Sequence, residues 1–295
     1  MGRIAAKPEK EDKEKKISFI AKESIRCPVC DAVFRREELF SGRVNASDLT
    51  DELHRTYTPM QAYGEVTPLV YELTVCPSCW YSALKYDFAD PPARTRQALQ
   101  DGISVRVEAV QRLFEPLDFG EPRGLLEGAA SYYLALLSYE LFPKDYSPVI
   151  KQAVAALRAA WLCKDLERRR PGENFGYVAE IFYRKACFLY RLAVELEQKG
   201  VQRLAEAKWL GPDTDKNYGY EGVLYMQGIL DLKYGPRGDE AKRAESLEAS
   251  KRAIAKMFGL GKRSKSKPGP LLDKARDLYD SLKAELKQDD DDGDD

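Results

Sequence analysis

Two copies of Cys-Pro-x-Cys, Cys27-Pro28-Val29-Cys30 and Cys76-Pro77-Ser78-Cys79, constrain this chain more than any other feature. A two-residue spacer lets both sulfurs of a pair converge on one ion, and four thiolates suit tetrahedral zinc. Proline after the first cysteine fixes the turn, and the remaining turn amides are free to donate to the sulfurs and spread their charge. The 45 residues between Cys30 and Cys76 exceed the usual ribbon spacing, so the pattern predicts a zinc ribbon with a large insertion. Loop closure rises only logarithmically with length, and tripling such a loop costs about 1 kcal/mol. A structural zinc site contributes roughly ten times that. Cys27, Cys30, Cys76 and Cys79 are therefore expected to hold one structural Zn2+ per chain.

Other uses of these cysteines fit less well. A redox C-x-x-C normally sits alone at a helix N-terminus in a βαβ setting, whereas here two matched pairs occur without that setting. A catalytic zinc needs an open position for water and a nearby general base, and four thiolates close the shell. His54, the only histidine, would displace one thiol if it were a ligand, so a surface or locally hydrogen-bonded imidazole is expected. Cys163 and Cys187 lie on or beside apolar helical stripes and read as core thiols. The sequence presents no nucleophile–base pair, Walker loop, dinucleotide fingerprint or paired catalytic carboxylates. "GLGKRS" at 259–264 lacks the first glycine of a phosphate loop and follows a helix rather than a strand. No catalytic or cofactor-binding residue is assigned, and a non-enzymatic protein is expected.

Periodicity divides the chain. Residues 1–16 are polar, mixed in charge and without hydrophobic period, as expected of a disordered arm, and 288–295 form an acidic tail of the same kind. Within 17–90, "ISFIAKESIR" (17–26) reads as a strand. "PLVYELTV" (68–75) alternates Leu69, Tyr71, Leu73 and Val75 in the strand period. The stretch between the cysteine pairs is rich in turn formers and is expected to be loop with short helical turns. Pro91 and Pro92 mark a junction, after which the period becomes 3.6. In 125–142 the stripe is Leu126, Ala129, Tyr133, Leu136 and Leu137. In 147–170 it is Val149, Ala153, Val154, Leu157, Ala160 and Trp161, with Ser147 the expected N-cap before Pro148. In 173–200 it is Val178, Ile181, Phe182, Phe188, Leu189, Leu192 and Leu196, with Gly200 ending the helix. Further helices are expected at about 219–234, 239–258 and 270–287. The fold class is thus α+β: a small zinc-ribbon-like module over 17–90, then a mainly α-helical, tetratricopeptide-like array over 91–287, without a clear 34-residue repeat.

Residues 24–88 resemble the bacterial family known as domain of unknown function 2225. The resemblance rests on the first C-P-x-C, Phe34, Asp48-Leu49, Tyr57, the Pro68-to-Tyr71 element, the second C-P-x-C and the Asp87-Phe88 pair. The family's second knuckle reads C-P-x-C-G-Y-A. Here Trp80 stands at the glycine and Ser82 at the alanine, so the turn after Cys79 is expected to resist a positive φ. The resemblance implies a four-cysteine N-terminal part with a tetratricopeptide-like remainder, and it implies no activity.

The formal net charge of −1 offers no overall basic field for nucleic acid. Basic residues gather in "ERRRPG" (167–172), where helix C-termini favour cations, and in "GKRSKSK" (261–267), expected to be a solvated loop. Nothing at the N-terminus reads as a signal peptide, and no run approaches membrane-spanning length, so the expected compartment is the cytoplasm. The expected role is a zinc-binding adaptor or scaffold whose helical array binds a protein partner, with no membrane partner. A nucleic-acid-associated zinc-ribbon regulator is the alternative, drawing on Lys22, Arg26, Arg35 and Arg36, which Glu23, Asp31, Glu37 and Glu38 offset. A thiol/zinc redox switch comes third.

Overall fold

Each cysteine pair sits at the tip of a β-hairpin in the computed structural model, which describes residues 19–261 and 269–291. Strand β1 (Ile20–Arg26) pairs antiparallel with β2 (Val33–Glu37), with Arg26 opposite Val33. A second hairpin, β3 (Asn45–Leu49) with β4 (Arg55–Thr58), occupies the insertion. Then comes a 3-10 turn at Pro68–Tyr71, followed by the third hairpin, β5 (Leu73–Val75) with β6 (Ser82–Leu84). Among the described residues the strands form three two-stranded antiparallel sheets.

The rest is helical: α1 (Lys85–Ala89), α2 (Ala93–Asp101), α3 (Ile103–Gln111), α4 (Leu125–Tyr139), α5 (Pro148–Arg169), α6 (Phe175–Gln198), α7 (Gly219–Tyr234), α8 (Glu240–Gly261) and α9 (Gly269–Asp291). From α4 onward each long helix packs on the next in sequence, and α9 also touches α7. Helix α4 additionally packs on β5, β6 and the 3-10 turn, so it joins the cysteine-bearing part to the helical part. Gly128 permits that approach, because a Cβ there would meet Val70 Cγ2 at 2.9 Å. Helix α5 is central. Its expected apolar stripe is buried apart from half-buried Val149, and so are Lys151, Gln152 and Arg158. The expected arm at 1–16, the basic residues 262–267 and tail residues 292–295 lie outside the described residues, while α9 carries to Asp291.

Four local expectations need correction. The 68–75 strand is only its last three residues, because Val70 is buried beside Leu69 and the backbone turns there. The strict alternation was incomplete: it passed over an apolar Val70 in the intervening register. The insertion does carry a short helical turn, at Pro68–Tyr71, but it also holds the β3–β4 hairpin where loop was expected. Its strands are polar and half exposed, so no apolar alternation betrays them. They are held by backbone pairing, by Asn45 Nδ2 donating to Thr58 Oγ1 (2.7 Å) and by Arg55 donating to the Ser47 carbonyl (2.8 Å).

Ser147 does not cap α5 with its side chain. It sits at φ 48°, and its hydroxyl donates to the Arg203 carbonyl, while Gln202 Oε1 accepts from Val149 N (3.3 Å). On α6, Phe182 and Leu189 are buried as expected, but Ile181 and Phe188 are 47% and 57% exposed. The inward face is instead built from Ala179, Tyr183, Ala186, Cys187, Tyr190 and Ala193. Small residues allow close helix packing, and a bulk-weighted stripe misses them.

Candidate metal centre

The two knuckles share one backbone design. In the first, Asp31 N donates to the Cys27 carbonyl (3.0 Å) and Cys27 N to the Ala32 carbonyl (2.9 Å). In the second, Trp80 N donates to the Cys76 carbonyl and Cys76 N to the Tyr81 carbonyl, both at 2.9 Å. Closing each five-residue turn puts the residue after the second cysteine in the left-handed region: Asp31 at φ 61° and Trp80 at φ 55°. Trp80 therefore does adopt the positive φ that its side chain was expected to resist. Its indole packs edge-on against Phe119 at 5.3 Å, a contact glycine could not make.

All four cysteine sulfurs lie within 4.8 Å of one another, and Cys27, Cys76 and Cys79 are buried with Cys30 half-buried. The cross-pair separations are 3.7 Å for Cys27–Cys79 and 3.6 Å for Cys30–Cys76. A tetrahedron built on Zn–S bonds of about 2.3 Å has edges of about 3.8 Å, so the sulfurs already stand at metal-bridged spacing. They are also far beyond disulfide bonding distance, roughly 2 Å. Turn amides aim at them, including Val29 N to Cys27 Sγ at 3.4 Å. Bare sulfurs so close resist joint ionisation. Contacts with the neighbouring thiols pull the Cys76 thiol far down, while those same contacts and burial push Cys27 and Cys79 well up, so the first thiolate formed suppresses the others. A divalent cation relieves that repulsion. The donor set thus fits a metal ion of zinc's size and softness.

The cage is tied to the helices by groups that local sequence patterns do not reveal. Arg106 on α3 is 4% exposed and donates to the carbonyls of Cys79 (2.7 Å), Leu99 (3.1 Å) and Trp80 (3.3 Å). Burial pulls its pKa down, and the cysteine sulfurs push it back up. Asp87 on α1 accepts from Lys151 Nζ at 2.7 Å and from Tyr139 OH at 2.8 Å, all three buried. The rings of Tyr86, Tyr139 and Tyr146 stand 5.4, 5.5 and 5.7 Å from that ammonium. Aromatics after Cys79 pack at the joint: Tyr81 stacks on Phe88 at 4.6 Å, and Phe34 meets Phe88 edge-on. The joint also contains a buried ion pair, Lys151 with Asp87.

His54 is not at the cysteines. Its Nδ1 lies 2.5 Å from Asp213 Oδ2, and its ring stacks on Trp161 at 4.2 Å. Burial raises the Asp213 carboxyl, but the hydrogen bond and charge of His54, with help from Arg158 and the Arg55 amide, bring it below the usual range. Arg158, 1% exposed, presents Asp213 by donating to the carbonyls of Gly211, Pro212 and Asp213. Cys163 is a core thiol that burial pushes up to about 12, whereas Cys187 donates to Asp231 Oδ1 at 3.2 Å. Of the basic run, Arg168 and Arg170 pair with Asp165 and Glu173, and Arg169 reaches Glu65 at 2.6 Å. Local carboxylates, as well as the helix dipole, therefore meet those charges. No helix among the described residues is long and apolar enough to cross a membrane.

With this geometry in place, comparison with known proteins places the chain in a family. The model of the bacterial family described as "Uncharacterized protein conserved in bacteria (DUF2225)" matches residues 20–282. A protein of Borreliella burgdorferi, itself named only as uncharacterized, is 41% identical over 276 residues, covering 92% of this chain and 99% of its own length. No solved structure matches.

Proposed function

The chain belongs to the bacterial DUF2225 family, and from that premise we propose that it is a cytoplasmic, non-enzymatic adaptor whose four-cysteine site holds one structural zinc ion. The observation that carries this reading is the closed cage. Four sulfurs within 4.8 Å leave no ligand position for water, and the residues around them bind the helical body rather than a cavity. When bound, the metal supplies cross-linking between the first and third hairpins. Cys27 and Cys30 anchor one hairpin, Cys76 and Cys79 the other, and Arg106 and Asp87 pass that rigidity to α3 and α5.

Binding then falls to the helical part, which keeps an open groove and an exposed apolar face on α6. Affinity capture with the full chain from its native cell tests the role. A consistent protein partner is the expected result. Recovery of nucleic acid that resists moderate salt, without a protein partner, overturns it in favour of a nucleic-acid regulator.

A further inference from the structure

Helix α6 turns an apolar stripe outward. Tyr177, Ile181 and Phe188 are 69%, 47% and 57% exposed, whereas among the described residues every other helix exposes at most one large apolar side chain. From Tyr177 to Phe188 the exposed positions are Tyr177, Glu180, Ile181, Arg184, Lys185 and Phe188. Alternating steps of three residues and one keep all six on one face, over about 17 Å of helix. Large apolar side chains gathered on one outer face mark an interaction surface.

The order of these six residues identifies the occupant. From either end the face runs aromatic ring, charge, long aliphatic group: Tyr177, Glu180 and Ile181 from one side, Phe188, Lys185 and the stem of Arg184 from the other. The two charges at matching positions are opposite in sign. When two copies of α6 lie antiparallel about an axis between Phe182 and Tyr183, Tyr177 faces the second copy's Phe188. Glu180 then faces Lys185, Ile181 lies on the Arg184 stem, and each contact occurs twice. An isologous contact requires a surface complementary to itself, which a face for an unrelated protein does not. The charges are free to take part. Lys185 has no carboxylate partner in its own chain among the described residues. Glu180 meets Arg184 at 2.5 Å through Oε1 alone and keeps 49% of its side chain exposed. Such an exposed pair within one helix contributes little and does not compete with a second contact.

We propose that α6 is the contact between two copies of this chain, packed antiparallel about a two-fold axis between Phe182 and Tyr183. The proposal goes beyond the adaptor reading and does not depend on it, and it leaves the adjoining groove to a protein partner. Six side chains per copy are fewer than the roughly 20–30 residues of a standard interface, so the association is weak and grows with concentration. Sedimentation equilibrium of the full zinc-loaded chain from about 1 to 500 µM tests it, with a monomer–dimer equilibrium the expected result. Ile181→Arg sets an arginine against Arg184 at both symmetric contacts and should weaken the dimer at least about tenfold. Glu180→Lys and Lys185→Glu should each weaken it severalfold. Glu180→Lys/Lys185→Glu should return it to within about twofold of wild type, because each exchanged charge meets the other across the axis. All three positions are exposed, so every variant should keep the wild-type melting temperature.

A wild-type chain that stays monomeric across that range overturns the proposal. If such a monomer captures a protein partner that Ile181→Arg loses, the face belongs to that partner and the adaptor reading stands. A dimer indifferent to Ile181→Arg also overturns the proposal, since its contact lies elsewhere. A double charge exchange no tighter than either single one contradicts the antiparallel pairing of Glu180 with Lys185.

Discussion

Replacing Lys151 with methionine removes one charge from the joint between the cysteine module and the helices while keeping most of the side-chain volume. Asp87 would then retain only Tyr139 OH as a side-chain donor, with its carboxylate almost fully buried at 4% side-chain exposure. Breaking a buried pair in this one-sided way costs about 3–5 kcal/mol, because the surviving charge is left uncompensated. Against a total stability of roughly 5–15 kcal/mol this is a large fraction. With a urea m-value near 3 kcal/mol/M it shifts the unfolding midpoint down by about 1–1.7 M. Asp87→Asn should cost less, since Lys151, already pulled down by burial, can lose its proton and become neutral. The double variant Asp87→Asn/Lys151→Met should be more stable than the two single losses sum to, with a coupling of about 2–3 kcal/mol. Urea titration of the four zinc-loaded proteins, followed by circular dichroism, measures that coupling. Strict additivity would show that the pair is energetically silent and that the joint is apolar in effect.

Three further outcomes are expected. Arg106→Met strips the donors from the Cys79, Trp80 and Leu99 carbonyls and should cost about 2–3 kcal/mol, with faster zinc loss to a chelator followed spectroscopically. Asp213 has its folded pKa depressed, so its contribution is present at neutral pH and disappears as pH falls below about 4 through the folded value. Asp213→Asn should therefore be about 1–2 kcal/mol less stable at pH 7, and melts at successive pH values should show the gap to wild type closing in acid. Trp80→Gly relieves about 1 kcal/mol of left-handed backbone cost but loses the Phe119 contact and half-buried indole, worth about 2–3 kcal/mol. A lower melting temperature with zinc retained is the expected result.

The four-cysteine cluster was legible because its information is local: two residues between the cysteines of each pair, with a turn whose amides face the sulfurs. The long helices were legible for the same reason, since their periodicity repeats every turn. What stayed hidden depends on distant partners. Lys151 meets Asp87 across 64 residues, a pairing that no local pattern on its helix announces. His54 read as a surface or locally hydrogen-bonded imidazole, and its hydrogen-bond partner Asp213 lies 159 residues away. Arg106 drew no notice because nothing nearby in sequence needs a cation, whereas three carbonyls in space do. The α6 face misled in an informative direction. Ile181 and Phe188 were assigned inward for their bulk, and alanines and Cys187 took those positions, leaving the bulky residues outside.

The central claim is that Cys27, Cys30, Cys76 and Cys79 clamp one structural zinc ion. Native mass spectrometry of the purified, reduced, folded chain tests it most directly, read alongside its Cys27→Ser, Cys76→Ser and Cys163→Ser variants. The account predicts one zinc per chain in wild type and Cys163→Ser, and its loss from Cys27→Ser and Cys76→Ser with a lower melting temperature. A reduced, folded, metal-free chain whose melting is indifferent to chelator would contradict it.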